Sequence, residues 1–261
     1  LKPGNVNRFS DGHGMTRDDF LHSAKVVTPY LCDRSLSVGR RIQESVKVTQ
    51  QQVGTNTNIG MLLLYAPIIV AAEKMQEQSI AALQHHLQHT LFSIDKSDSI
   101  LVFQAIKTAN PGGLGHSTKY DVVLNPDCEL LAAMEVASDR DSIARQFTSA
   151  FQDVFETGVN VIKEFTLRWN SVEWAAVACY MTFLATFPDS HIARKYGGRT
   201  AEQVKQKAVI IAEQFKKNDN PENAHGTLFQ FDRELKDTHI NPGTSADLTA
   251  ASILVYGLIT C

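Results

Sequence analysis

Four side chains able to do acid, base or phosphate chemistry follow an apolar stretch that ends at Phe187. They are Asp189, His191, Arg194 and Lys195, and they lie within seven residues of one another. A carboxylate can accept a proton or bind a metal ion, an imidazole exchanges a proton near neutral pH, and two cations can neutralise phosphate. This segment has the densest chemistry in the chain.

A second candidate carboxylate, Asp247, follows the turn sequence Asn241-Pro-Gly-Thr-Ser. The apolar residues after it predict a helix from Thr249 to Ile259, with Asp247 in its first turn. A carboxylate at a helix start is stabilised by the helix dipole, and that structural role alone is sufficient to account for the residue. Asp247 is therefore a candidate catalytic group with a structural alternative.

The stretch Gly54-Thr55-Asn56-Thr57-Asn58-Ile59-Gly60 contains small or amide side chains and is followed by uncharged residues from Met61 to Ala72. This pattern predicts a polar loop and then a helix over 59–73. A helix without a polar face is surrounded by protein, and this one is too short for a membrane span of ~20 residues. Its buried start could bind an anion, or it could simply be a capped core helix.

Loops of similar composition occur at five places, and several adjoin apolar helices. They are rich in Gly, Pro, Asn and Asp and cover residues 2–13, 54–58, 110–121, 187–195 and 241–247. Because apolar helices meet in the core, we expect their polar ends to converge on one pocket. The Gly-rich loop at 110–121 resembles a phosphate cradle only loosely, because it lacks the Gly-Lys-Ser/Thr ending of a P-loop.

Nearly every other segment has helical periodicity, and no convincing strand occurs. The sequence therefore predicts an all-α fold of about eleven helices in one domain over 1–261, with two or three apolar helices inside. The long pattern from Asp139 to Trp169 predicts a helix with a slight break near Gly158. The segments 200–217 and 221–238 are more amphipathic, which is typical of surface helices.

Composition excludes several classes of protein. The 261 residues have a net charge of −3, and the basic residues are scattered, which argues against a nucleic-acid partner. The four cysteines (Cys32, Cys128, Cys179 and Cys261) form no C-x-x-C pair, which argues against structural zinc and a disulfide framework. Without a signal peptide or a run of 18 apolar residues, we expect a cytoplasmic protein with no membrane partner. The chain starts at Leu1 rather than Met, so we expect a missing upstream segment, and its oligomeric state stays open.

Three histidines lie close together at His85, His86 and His89. His85 and His89 are one helical turn apart, a spacing that could bind a metal ion. The neighbouring Gln84 and Gln88 indicate a solvated surface, and no acidic residue lies within a turn. We therefore expect a surface cluster rather than a metal site.

Four of these segments together resemble the triphosphoribosyl-dephospho-CoA synthase family. The resemblance runs in order over most of the chain, and its last motif is the most specific; the segments are Lys2-Pro3-Gly4-Asn5-Val6, the loop from Gly54, Asp189-Ser-His-Ile-Ala-Arg-Lys, and Asn241-Pro-Gly-Thr-Ser-Ala-Asp-Leu. The resemblance implies an all-α pentosyltransferase that moves the ribose-triphosphate part of ATP to the 2′-hydroxyl of dephospho-CoA and releases adenine. The product is a precursor of the prosthetic group of citrate and malonate decarboxylase carrier proteins.

The chain departs from this family at two elements that face the substrate. Asn58-Ile59 replaces the His-Lys pair of the family's usual loop, and the segment from Gly112 to Val122 replaces its Arg-Gly-Glu-Ala loop. These departures resemble members from methylotrophs and methanogens, where methanopterin contains a ribose phosphate joined to a ribitol hydroxyl. Phosphoribosyl transfer from a phosphoribosyl donor to a ribitol-type acceptor is therefore an alternative function.

The resemblance and the residues together give the candidate site. Displacement at the ribose anomeric carbon passes through an oxocarbenium-like state, which requires a base, assistance to the leaving group and cations for the polyphosphate. The catalytic candidates are Asp247, Asp189, His191 and His13, and Asp189 and Asp247 are also candidate ligands of a Mg²⁺ ion that accompanies the phosphate donor. The substrate-binding candidates are Lys2, Asn5, Thr55, Asn56, Asn58, Gly113, Arg194, Lys195, Asn241 and Ser245.

Two further classes stay open at this stage. The chain could be a non-catalytic protein, either one whose loops hold a nucleotide tightly without turnover or a helical assembly partner. A ribosyl hydrolase would use water as the acceptor, and it would release the base without an added acceptor. A transferase needs both small molecules, the phosphoribosyl donor and the hydroxyl acceptor.

Overall fold

The computed structural model describes residues 1–115, 117, 119–124 and 126–260. These residues form thirteen α-helices with short 3-10 and π-helical segments, and the only β pairing among them is two isolated bridges. The predicted all-α fold is confirmed. His116 of the Gly-rich loop and Cys261 lie outside the described residues.

The helices are numbered in chain order. They are α1 Arg17–Leu31, α2 Val38–Gln52, α3 Ile59–Ala72, α4 Ile80–Phe92, α5 Lys96–Ala109, α6 Leu130–Ala137, α7 Ser142–Thr148, α8 Asn160–Trp169, α9 Val172–Thr186, α10 Ser190–Tyr196, α11 Gly198–Lys216, α12 His225–Asp237 and α13 Gly243–Thr260. A π-helical segment, Asp153–Val159, leads directly into α8, and a 3-10 turn, Pro221–Ala224, leads into α12. Among the described residues, no helix is long and apolar enough to cross a membrane.

The chain divides into two compact units. The terminal unit contains Leu1–Arg17 and Gln152–Tyr256, and the central unit contains Asp18–Phe151 and the chain from Gly257 onward. The terminal unit thus contains α8 to α12, most of α13 and the N-terminal loop, and the central unit contains nearly all of α1 and α2 to α7. The division does not test the prediction of one domain, which stays a prediction.

Helix α3 forms the core of the central unit, as its uncharged sequence predicts. Leu64, Ala66 and Ile68 are fully buried, and Pro67 is accommodated inside the helix. At its end, Glu73 forms a bidentate ion pair with the buried Arg41 of α2, with both N···O distances at 2.9 Å. This pair secures the end of α3 to α2.

Helices α9 and α13 are the buried helices of the terminal unit. Tyr180 and Phe183 of α9 are fully buried. The π-helical segment approaches α13 so closely that a Cβ on Gly158 would lie 1.9 Å from the Ser252 Oγ. Gly158 therefore permits close helix packing, and the chain stays helical there while its hydrogen bonding changes from π to α at Asn160.

Several predicted boundaries are wrong. The break in the pattern from Asp139 to Trp169 lies at Ala150 and Phe151, which have φ angles of 51° and 64°, instead of near Gly158. The predicted loop over 187–195 contains the short helix α10.

The start of α13 is also wrong in the sequence prediction, and this error affects a candidate residue. The helix begins at Gly243 instead of Thr249, and the Ala246 N–H donates to the Pro242 carbonyl at 3.3 Å. Asp247 therefore lies in the second turn. The interaction of a carboxylate with the helix dipole falls off within the first turn. Stabilisation of the helix start therefore accounts poorly for Asp247.

Candidate active site

The N-terminal loop of the terminal unit is held by one buried carboxylate on α12. Asp232 Oδ1 accepts hydrogen bonds from the Gly4 N–H at 2.9 Å and from Asn7 Nδ2 at 3.2 Å. Its Oδ2 accepts from Ser10 Oγ at 2.8 Å and from Lys236 Nζ at 3.1 Å. The loop that carries Lys2, Asn5 and His13 is therefore anchored to α12.

Two further bonds hold this loop within the terminal unit. Asn5 Nδ2 donates to Asn241 Oδ1 at 2.8 Å, and both residues are buried. The buried Tyr180 hydroxyl of α9 donates to the Pro3 carbonyl at 2.5 Å. The structure thus brings together Asn5 and Asn241, two substrate-binding candidates, through their own side chains.

Asp189 connects the start of α10 to the start of α13. Its Oδ1 caps α10 by accepting from the N–H groups of His191 and Ile192, and its Oδ2 accepts from the Ser245 N–H at 2.7 Å and the Ser245 hydroxyl at 2.8 Å. Burial raises the pKa of Asp189, while the bonds from Ser245 and Ile192 and the charge of Arg194 lower it. A buried carboxylate with these four donors is suited to a structural role, and its catalytic role stays a prediction.

Thr244 strengthens the same connection. Its Oγ1 accepts from the Ser190 hydroxyl at 3.0 Å and from the His191 N–H at 3.1 Å. A Cβ on Gly243 would lie 2.9 Å from His191 Nδ1, so glycine allows the imidazole to lie against the start of α13. Two of the family-like segments, from Asp189 and from Asn241, therefore form one packed corner in which His191 is half-buried.

Lys2 and Asp247 interact electrostatically. Lys2 is half-buried, and burial lowers its pKa to about 8, while the Asp247 carboxylate raises it and the Lys236 ammonium lowers it. Asp247 is also half-buried, on the second turn of α13. The charge of the Asp247 carboxylate therefore acts on the Lys2 amine, whose pKa is unusually low. Both residues lie on segments that the sequence analysis identified as candidates.

His13 lies among positive charges. Its Nε2 is 2.7 Å from the Gly4 carbonyl oxygen, so Nε2 carries the proton and donates. Burial lowers the pKa of His13, the bond to Gly4 raises it, and the charges of Lys195, Lys236 and His239 lower it further. The neutral imidazole is therefore favoured near neutral pH, with Nδ1 as its acceptor atom.

The remaining candidates on α10 differ in exposure. Arg194 is half-buried and its charge acts on Asp189, whereas Lys195 is exposed and its charge acts on His13. Lys195 is therefore one of the positive charges that lower the pKa of His13.

The candidates at 54–58 belong to the central unit and mostly bond within it. Asn56 Oδ1 accepts from the N–H groups of Asn58 and Ile59 at 3.3 and 3.2 Å, so Asn56 caps α3. Asn58 Nδ2 donates to Thr49 Oγ1 at 3.0 Å, and Ile59 is buried. Thr55 is half-buried. The two positions that replace the family's His-Lys pair therefore pack inside the central unit.

Gly113 also lies in the central unit, in an exposed loop. It has a φ of 74°, a conformation that glycine adopts without strain. It stays a prediction that all five polar loops converge on one pocket. The same holds for substrate contacts of the four candidates in this unit, Thr55, Asn56, Asn58 and Gly113.

The carboxylates are poorly suited to a preformed Mg²⁺ site. The described part of the chain contains no group of three or more His, Cys, Asp or Glu side chains that could hold a metal ion. Both oxygens of Asp189 are engaged, and the ammonium of Lys2 competes with any cation at Asp247. Binding of Mg²⁺ with the phosphate donor stays a prediction.

The histidine cluster lies on α4. His85 and His89 are exposed, and their ring centroids are 4.5 Å apart.

We expect that replacing His85, His86 and His89 together by Gln leaves the catalytic rate unchanged within a few-fold. The reason is that surface substitutions away from a site change free energies little. Initial rates on the folded variant provide the measurement. A large loss of activity with an unchanged melting temperature would contradict a surface role.

Sequence reasoning missed three residues of the terminal unit: Asp232, Lys236 and His239. They lie on or just after the segment 221–238, whose amphipathic pattern predicts a surface helix. The signal that could have found Asp232 and Lys236 is their spacing of four residues, which places an acid and a base on one helix face.

Comparison with known proteins completes the description. The family model CitG, described as ATP:dephospho-CoA triphosphoribosyl transferase, matches residues 1–260. The crystal structure of a candidate triphosphoribosyl-dephospho-CoA synthase from Archaeoglobus fulgidus matches with a TM-score of 0.70 and 24% identity, over 92% of this chain and 99% of that chain. At this identity the match shows a common fold. A search of curated proteins finds no significant match.

Proposed function

The chain belongs to the CitG family of ATP:dephospho-CoA triphosphoribosyl transferases, and we propose that its reaction uses the Lys2–Asp247 pair of the terminal unit. The protein is a pentosyltransferase of triphosphoribosyl-dephospho-CoA synthase type, and its small-molecule substrates are ATP and dephospho-CoA. The family match over residues 1–260 supports the assignment, and the terminal unit contains both Lys2 and Asp247, which lie on two family-like segments.

The bond changes define what these residues must do. The bond between the anomeric carbon of the ATP ribose and adenine breaks, and the same carbon forms a bond to a hydroxyl oxygen of dephospho-CoA. The hydroxyl loses its proton, and adenine leaves with the bonding electron pair and takes up a proton. We assign the first proton transfer to Asp247, because a positioned carboxylate is a common general base.

Positive charges of the terminal unit provide the neutralisation that a triphosphate requires. Lys195 and Lys236 act on His13, and Lys236, which is paired with Asp232 at 3.1 Å, also acts on Lys2. Preorganised cations stabilise phosphate charge and developing negative charge without reorganisation during the reaction. We therefore propose that the triphosphate lies beside this group of cations.

The two histidines take different proposed roles. A neutral His13 that donates from Nε2 to Gly4 is better suited to accept a hydrogen bond at Nδ1 than to protonate a leaving group. His191 is the better candidate to deliver a proton to adenine, because it is half-buried at the corner between α10 and α13.

Product analysis tests this function. The protein is incubated with ATP and dephospho-CoA, with and without Mg²⁺, and the products are identified by mass spectrometry. We expect free adenine and a product whose mass equals dephospho-CoA plus the triphosphoribosyl group. Adenine release without dephospho-CoA would indicate a ribosyl hydrolase, and ATP binding without any release would indicate a non-catalytic binder.

The alternative ribitol-type acceptor is not favoured, because the matching family model covers residues 1–260 and is that of ATP:dephospho-CoA triphosphoribosyl transferase. Asn58 and Ile59, which replace the His-Lys pair of the family's usual loop, pack inside the central unit and indicate no particular acceptor.

We expect kcat/KM for ATP to decline as the pH rises through about 8. Lys2 loses its charge near that pH instead of near 10.5, because its pKa is lowered in the folded protein by burial and Lys236, despite the opposing effect of Asp247. Since kcat/KM reports the free enzyme, the loss of this cation weakens ATP capture there. Arginine stays charged, so Lys2→Arg loses this decline. The same decline in both proteins would contradict a role for Lys2.

A further inference from the structure

Asp232 is a buried carboxylate that belongs to none of the family-like segments. We propose that Asp232 is a positioning residue for the transfer, because its hydrogen bonds hold the N-terminal loop so that Lys2 stays within electrostatic reach of Asp247. The inference rests on the proposed function of Lys2 and Asp247. Asp232 itself is assigned no contact with substrate.

The contacts of Asp232 all lead to this loop or to its own helix. Three of its four donors belong to the loop: the Gly4 N–H, the Asn7 amide and the Ser10 hydroxyl. The fourth is the Lys236 ammonium, which also donates to the Ser10 carbonyl at 3.1 Å. Hydrogen bonds to a charged acceptor are roughly twice as strong as neutral ones, so Asp232 is the main anchor of the loop.

The backbone at Gly4 shows how closely the loop is held. Gly4 has a φ of 80°, and a Cβ there would lie 2.8 Å from side-chain atoms of both Leu235 and Pro242. Only glycine permits this approach, which directs the Gly4 N–H toward Asp232. The loop therefore follows a single path against α12 and the start of α13.

Lys2 is coupled to that anchor through a short turn. The Asn5 N–H donates to the Lys2 carbonyl at 3.0 Å, and this bond closes a turn that contains Gly4. Pro3 restricts the backbone between them, and its carbonyl accepts from the Tyr180 hydroxyl. Loss of the hydrogen bond between the Gly4 N–H and Asp232 therefore changes the position of Lys2, which lies two residues away in the same turn.

A double-mutant cycle separates positioning from a general contribution to stability. The four proteins are the wild type, Asp232→Asn, Lys2→Ala and the double variant, and the measured quantity is kcat/KM for ATP in dephospho-CoA-dependent adenine release. We expect Asp232→Asn to lower it about tenfold or more, and the double variant to be no worse than Lys2→Ala alone. A merely structural Asp232 would give additive losses, and additivity would overturn the inference.

A second measurement does not depend on activity. Hydrogen exchange of the peptide covering residues 4–10 should accelerate in Asp232→Asn, while the peptides of α9 and α13 keep their protection. Unchanged exchange over residues 4–10 in the folded variant would overturn the inference. If the wild type releases no adenine, the proposed function fails, and the exchange data still decide whether Asp232 holds the loop.

The design includes one control variant and one replacement for Asp232→Asn. Asp237→Asn removes a carboxylate from an exposed position of α12 and should leave both adenine release and loop exchange unchanged. If Asp232→Asn does not fold, the cycle is repeated with the milder Asn7→Ala and Ser10→Ala substitutions combined, which remove two donors and keep the buried charge paired with Lys236. If the loss of kcat/KM in Asn7→Ala/Ser10→Ala and the loss in Lys2→Ala are additive, the inference is overturned as well.

Discussion

Asp247→Asn should lower kcat for adenine release by roughly 10²-fold or more while the protein keeps its fold. Asparagine preserves the volume of the side chain but cannot accept the hydroxyl proton. The stability cost should be about 1 kcal/mol or less, because Asp247 is half-buried and lies outside the first turn of α13. Turnover at saturating substrate and the melting temperature are measured on one preparation.

Asp237→Asn is the matched control for this substitution, since it removes a carboxylate of the same terminal unit from an exposed site. It should leave turnover unchanged. A folded Asp247→Asn protein with near-normal turnover would remove Asp247 from the catalytic group and leave the base to be found elsewhere.

Local pattern predicted much of the fold. The uncharged run from Met61 to Ala72 specified the buried helix α3, because a helix without a polar face must be surrounded by protein. The apolar stretch that ends at Phe187 became α9, which ends at Thr186. In both cases the side chains that decide the structure are neighbours in sequence.

The errors arise where distant residues decide the conformation. Gly158 suggests a break, yet it lies within a helical segment, and its missing Cβ makes room for Ser252, 94 positions away in sequence. Ala150 and Phe151, which ordinarily favour a right-handed helix, adopt positive φ angles instead. Asn241-Pro-Gly signals a turn, and the structure begins α13 within that signal at Gly243.

The candidate site shows the same limit. Asp232 and Asp189 are single carboxylates in sequence, and their donors lie up to 228 positions away for Asp232 and 56 for Asp189. Periodicity places such residues on helices or loops but cannot supply partners at that separation. The electrostatic pairing of Lys2 with Asp247 likewise requires the two ends of the chain to meet within the terminal unit.

Asp189→Asn should give the opposite result to Asp247→Asn, with a loss of stability as its main effect. Asparagine can still cap α10 through its oxygen. Its amide nitrogen then faces the Ser245 N–H, so two buried donors meet where the Asp189 Oδ2 accepted at 2.7 Å. An unsatisfied buried donor costs about 1–3 kcal/mol, which corresponds to a decrease in melting temperature of roughly 2–12 °C.

The comparison of the two Asn variants decides which carboxylate does chemistry. Thermal unfolding and turnover are measured for both below their melting transitions, where each is folded. We expect Asp189→Asn to retain turnover within about tenfold and to unfold at a lower temperature, because it loosens the corner that contains His191 without removing the proposed base. An Asp189→Asn protein with an unchanged melting temperature and a loss of turnover of 10²-fold or more would instead return Asp189 to the catalytic group.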